Sequence, residues 1–390
     1  MEWLLYIAKI LYQPAMTGFM YLVVNQYRQS SEKRKRSNVA IGNSMRPHTR
    51  GSSSNRVNLS IWLAVLLSLL GGVYSVICGP ENTFLADREY YADKYATGTF
   101  LPVNSLGIYH IQNILRPFSQ NPYVFFFATG TLFLFFTLLA FRNSEDADSQ
   151  FFLLLCVSQY LMYGCYQVKQ SLACALSGLA VVLLLRYKRP LLPGLLIALA
   201  ICFHEAAWAM VPVFLAVVFS DNTLIKSTTY ICLALLIVFF PTISRTIVLF
   251  VGKYMPGLSL QMTNYVDDSG SLVADGTRVL SVLKGAPFFI VTVYSLVRGK
   301  QLKQSIRDYD AYALICVVIS ATTLLGAWST WMWRFGELLY VPFFAYVCKL
   351  FSTIDRRDER ILLKAAIILS FALITYRKLV VCYFSFGGII

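Results

Sequence analysis

Apolar runs long enough to cross a bilayer recur from one end of this 390-residue chain to the other, among them Pro122–Phe141, Leu191–Phe219 and Thr228–Phe250. A hydrocarbon core of about 30 Å takes about 20 helical residues to cross, and lipid leaves no partner for backbone outside a helix or closed barrel. Hydrophobic residues are 57% of the chain and charged ones 14%, which excludes a soluble globular protein. The expected fold is all-α: a polytopic helical bundle forming one integral membrane domain over residues 1–390, with about twelve membrane segments.

Charge then sets the topology. The chain has 34 basic and 20 acidic residues, a formal net charge of +14. In a soluble chain that excess would suggest nucleic acid; in a membrane chain it marks the loops that stay in the cytoplasm. Residues 25–58 hold eight Lys or Arg against one acid, Glu32, in a Ser-, Asn- and Gly-rich context. That composition predicts a disordered cytoplasmic loop able to touch anionic lipid. The flanking crossings are Trp3–Val24 and Leu59–Ile77. Residues 79–121 form a first outer loop, Pro122–Phe141 and Phe151–Tyr166 the next crossings, and Ser171–Leu185 returns to the basic turn Arg186-Tyr187-Lys188-Arg189.

Leu191–Phe219 admits two readings. One long helix would place Arg298, Lys300, Lys303 and Arg307 outside, against the positive-inside rule. A hairpin of two short helices turning at His204-Glu205 keeps them inside, and is preferred. Thr228–Phe250, a second outer loop at 251–285, and crossings at Ala286–Val297, Ala311–Ala327, Phe335–Leu350 and Ile361–Phe384 complete the chain. An aromatic outer turn from Trp328 to Arg334 precedes Phe335. The N-terminal Met1-Glu2-Trp3 lacks a basic n-region, so the first segment is expected to be retained.

Candidate chemistry collects on the outer side. His204 and Glu205 interrupt an apolar run, where ionisable groups usually mark a functional cavity. The first outer loop brings Asp87, Tyr91 and Tyr95 along one helical face; tyrosines offer sugars a flat apolar ring with a hydroxyl, and they equally suit an interfacial anchor. Lys169 and Gln170 stand at an outer turn, Arg334 follows Trp331 and Trp333, Arg245 lies inside a helix, and Tyr265 lies in the second outer loop. Lys169 alone also fits a snorkelling lysine, and Arg334 with Glu337 a plain ion pair. The nine cysteines lie in or beside apolar runs without CxxC spacing, so they read as small hydrophobes. His48 and His110 read as incidental. Neither a P-loop, GxGxxG, HExxH nor GxSxG is present, so nucleotide-driven and zinc-hydrolase chemistry lack support.

In order, these motifs resemble the EpsG family of polysaccharide polymerases, within the broader Wzy-type oligosaccharide repeat-unit polymerases. The match rests on Val168-Lys169-Gln170-Ser171-Leu172-Ala173, the basic turn Arg186–Arg189, and Phe203-His204 closing the next run. Asp87, Tyr91 and Tyr95, then Asn264-Tyr265, then Arg334 with Tyr340, add to it. Two positions depart: Lys169 replaces an arginine, losing its bidentate fork, and Glu205 is an acid unusual after that histidine.

The resemblance implies an enzyme of the bacterial plasma (inner) membrane, its active site facing the periplasm or exterior. It joins undecaprenyl-pyrophosphate-linked oligosaccharides, as donor and acceptor, into O-antigen, capsule or exopolysaccharide. It implies no cofactor and no metal, membrane lipid as surroundings, a chain-length regulator as candidate partner protein, and no nucleic acid. Lys169, Arg334 and Arg245 are then assigned to the pyrophosphate. Asp87, His204 or Glu205 is the base for the acceptor hydroxyl, with His204 alternatively a donor to a sugar or phosphate oxygen. Tyr91, Tyr95, Gln170, Tyr265 and Trp331 are assigned to sugar. Two alternatives stay open: a GT-C glycosyltransferase using polyprenyl-monophosphate sugar, suggested by Asp87-x-Glu89, and a flippase for the same lipid-linked glycans.

Overall fold

A computed structural model describes Phe19, Leu22, Val23 and residues 61–77, 86–102, 105–142, 167–254, 282–283, 285–327 and 330–384. Within these, side chains are not described at 86–87, 241–245, 247–254, 330–331 and 371–384. The described residues are helical, without strands. The expected crossings at Phe151–Tyr166 and most of Trp3–Val24, the basic loop 25–58 and most of 251–285 lie outside them. Three described helices are long and apolar enough to cross a membrane, within Pro122–Phe141, Val168–Tyr187 and Thr223–Phe240; five more apolar helices are shorter. The chain clusters into two compact units.

The first unit is built on α1 (Ile61–Ile77) and α4 (Pro122–Phe141). One face of α1 is buried through Ala64, Leu67, Ser68, Gly71, Gly72 and Ser75, and Trp62, Leu66, Leu69 and Val73 are exposed on the other. Glycine permits the closeness: a Cβ on Gly71 would lie 2.8 Å from the Gly130 carbonyl oxygen, and one on Gly130 2.6 Å from that of Gly71. Small residues let membrane helices approach backbone to backbone. Over this pair lie α2 (Ala86–Thr97) and α3 (Leu106–Leu115), so the expected first outer loop is a folded helical corner. Gly98 makes the turn between them with φ +75°, where a side chain would meet Arg116. Gln112 closes it by accepting from the Phe100 N–H at 3.3 Å and donating to the Gly98 carbonyl at 3.4 Å.

The second unit centres on α11 (Tyr309–Leu325), buried along nearly its whole length. The same unit holds α5 (Val168–Tyr187, from Ala173 onward in this unit), α6 (Leu191–Phe203), a 3-10 segment (Glu205–Ala209), α7 (Met210–Val218), α8 (Thr223–Tyr254), α9 (Ala286–Val297) and α10 (Gly299–Ser305). Then come α12 (Thr330–Glu337) and most of α13 (Tyr340–Thr353) and α14 (Arg357–Phe384).

Ion pairs fix the path of the apolar run. Lys188, before α6, meets Asp308 at 2.6 Å; Lys226, in the first turns of α8, meets Asp310 at 3.0 Å, which Lys303 also reaches at 2.6 Å. A chain that departs at Lys188 and returns by Lys226 to carboxylates two residues apart has to double back. The helix breaks at His204, whose extended backbone (φ −150°, ψ 131°) ends α6 and opens the 3-10 segment. Thirteen residues of α6 rise about 20 Å, so the turn lies deep, away from the ionic end. Lys188 and Asp308 are the two non-glycine residues with positive φ among those described, at 56° and 65°. Nearby on that end, Arg298 donates to both oxygens of Glu359, at 3.0 and 3.2 Å, and the Tyr294 hydroxyl adds a bond at 2.9 Å.

Candidate functional site

His204 is buried and its ring is spoken for on one side: Nδ1 accepts the Ala206 N–H at 3.0 Å, capping the 3-10 segment. An accepting nitrogen holds a lone pair, so the ring proton sits on Nε2. Glu205 is next, its side chain 40% exposed and Oε2 3.8 Å from Nδ1, beyond hydrogen-bond range. Capping by the histidine and the short 3-10 turn thus hold an imidazole inward and a carboxylate outward at one point.

The 3-10 segment packs against α12. In place of the expected aromatic turn, Arg334 lies on a separate helix, ended by Leu338 and Leu339 before α13. Its apolar residues explain this. Met332 enters a core with Phe240 and Leu325, joined by Phe335. The Trp333 Cβ sits 3.2 Å from where a Cβ on Gly326 would be, and Gly336 lies against Thr322 of α11. The remaining face carries Arg334, half-buried, and Glu337, buried, at i and i+3. Two elements more than a hundred residues apart in sequence are thereby joined, each with a charged group. Trp331 lies on the same helix, its side chain outside those described.

Other expected site residues fall elsewhere. Tyr91 and Tyr95 are buried, at 4% and 0% exposure, and pack with Phe100 and Phe125; Tyr95 stacks on Phe125 at 5.2 Å and donates to the Ser119 carbonyl at 2.6 Å. Their rings fill the first unit's core, so the flat surface offered to sugar in the sequence is already covered by aromatic neighbours. Between them and α1, Arg88 is wholly buried, 3.8 Å over the Phe126 ring and donating to the Ser75 carbonyl at 2.5 Å. Asp87 precedes it, its side chain outside those described. Lys169 and Gln170 lie not at a turn but in the first turn of α5, where the Ser171 N–H already reaches the Gln167 carbonyl at 2.8 Å. Gln170 is buried and Lys169 half-buried, both in the first unit. Arg245 lies on α8 without a described side chain, and Tyr265 is outside the described residues. The described residues hold no cluster of metal-ligating side chains.

One residue of the turn is not among the expected site residues. Trp208, two residues before α7, is 63% exposed. A tryptophan in an apolar run reads as a membrane anchor, and only the 3-10 break sets it one turn from Glu205.

A family model for the EpsG family matches residues 83–387, a span that includes both the 3-10 segment and α12. The chain belongs to the EpsG family. That family is related to the Wzy-type polymerases, and membership points to a membrane-embedded polysaccharide polymerase of exopolysaccharide biosynthesis. No curated protein and no solved structure matches the chain.

Proposed function

We infer that this EpsG-family chain joins polyprenyl-pyrophosphate-linked oligosaccharide repeat units into a longer glycan, at a site formed by the 3-10 segment and α12. The observation that carries this is the packing of those two elements, which gathers His204, Glu205 and Arg334 in one unit. In the reaction, an acceptor sugar hydroxyl attacks the donor's anomeric carbon. A new glycosidic C–O bond forms, the anomeric C–O bond to pyrophosphate breaks, and polyprenyl pyrophosphate departs with its electron pair.

Each residue answers one need of that step. Glu205, an open carboxylate, takes the proton of the attacking hydroxyl. Arg334 stabilises charge growing on the pyrophosphate, where a preorganised cation counts most. His204, protonated on Nε2, donates to a phosphate or sugar oxygen; the cap on Nδ1 supports this role over that of base. Lys169 carries the cation of the family motif, and its assignment to pyrophosphate rests on the resemblance alone.

The polyprenyl carrier is undecaprenyl in this reading, the bundle has about twelve membrane segments, and the site opens to the outer face of the bacterial plasma membrane. The ionic end of the second unit, rich in Lys and Arg, is then cytoplasmic. Surface polysaccharide from a deletion strain complemented with Glu205→Gln or Arg334→Ala tests it. Membrane levels of the variants equal to wild type, with polymer lost and single repeat units retained, are expected. Full-length polymer from both variants contradicts the assignment.

A further inference from the structure

The 3-10 segment has three residues per turn, so side chains at i and i+3 stand over one another. Glu205 and Trp208 are so spaced. Both are open, at 40% and 63%, while Ala206 and Ala207 between them are buried. The segment therefore presents an indole and a carboxylate on one face and hides its alanines inward.

That pair has a definite complement. An indole face is flat, apolar and electron-rich, and a carboxylate accepts from hydroxyls. A pyranose ring offers a face of C–H groups, polarised toward positive, with hydroxyls around its rim. An indole held only as a lipid anchor has no use for an open carboxylate on its own face, since charge is costly in hydrocarbon. We propose that Trp208 is a sugar-binding residue, stacking a pyranose of the lipid-linked repeat unit so that one of its hydroxyls meets Glu205. The inference rests on the polymerase reading and names the binding surface within its site.

The test uses the purified full-length chain in vesicles, with lipid-linked repeat unit extracted from a strain lacking the polymerase as substrate. Trp208→Leu keeps an apolar side chain compatible with lipid but removes the stacking face. It is expected to raise KM for the lipid-linked unit roughly tenfold, as loss of a well-packed aromatic anchor does; Trp208→Phe restores most of the loss. Fluorescence of wild type minus Trp208→Phe isolates the indole. Iodide should quench it, brominated phospholipid should not, and the lipid-linked unit should protect it. An unchanged KM in Trp208→Leu, or quenching by brominated lipid without protection, overturns the proposal while a polymerising wild type leaves the broader reading standing. A wild type that makes no polymer removes both.

Discussion

At the scale of single residues, His204 has the sharpest consequences because its two nitrogens do different work. Nδ1 caps the 3-10 segment through Ala206, and Nε2 carries the proton. Asparagine can both accept through its oxygen and donate through its amide; an ionised aspartate can only accept. His204→Asn is therefore expected to keep measurable polymer synthesis and His204→Asp to lose it, with both inserting normally. Equal activity of the two, read as polymer per unit of membrane protein, contradicts the donor role. Tyr95 is the opposite case. Tyr95→Phe removes the bond to Ser119 and is expected to cost about 1 kcal/mol of stability, seen as a lower melting temperature, with KM unchanged. The sequence made His204 legible because an ionisable group stands out in apolar surroundings. It left Tyr91 and Tyr95 ambiguous, since an i, i+4 pair of aromatic residues suits a core seam as well as a sugar platform, and only Phe100 and Phe125 decide between them.

Elements were legible where charge or hydropathy is strong. The cations Arg298, Lys300, Lys303 and Arg307 argue for a hairpin through the positive-inside rule, and the ion pairs of Lys188 with Asp308 and of Lys226 with Asp310 close it. Three element boundaries differ from expectation, each for its own physical reason. α5 begins ahead of Lys169, because lysine and glutamine are good helix formers; α12 forms because Met332, Phe335 and Gly336 find partners on α8 and α11; and the corner at Gly98 is held by Gln112 and Arg116, long-range contacts with no local signal. The α1–α4 pair supplies a test of packing. Gly130→Val would drive a side chain into the Gly71 carbonyl and Ser75, and overpacking of this kind costs about 1–3 kcal/mol. A lowered melting temperature in detergent is expected, and an unchanged one contradicts the backbone approach.

For the whole molecule, the ionic end links stability to pH. Burial opposes ionisation of Asp310, which stands just before the apolar stretch of α11, but hydrogen bonds and charge from Lys303 and Lys226 outweigh it and hold its carboxyl below the usual range. The Tyr294 hydroxyl, aided against partial desolvation by Arg298, does the same for Glu359. A lowered native pKa gives stability that is present above the unfolded value, about 4, and is lost as pH falls through the native one. Melting temperature should hold as pH falls from 7 toward that range and drop only below it. Asp310→Asn should lower the plateau and flatten the drop, by on the order of 1 kcal/mol for partly exposed pairs. The family was legible across most of the chain from short motifs, yet the joining of the 3-10 segment to α12 was not, because nothing local pairs residues so distant.

The central claim is that this chain itself joins lipid-linked repeat units at that junction. Purified protein in vesicles, given only lipid-linked repeat unit and no nucleotide sugar, measures it directly by the length of glycan produced. A ladder of multiples of the repeat unit, lost in Glu205→Gln, is the result expected. Single units that persist with wild type, or a ladder undiminished in Glu205→Gln, would contradict it.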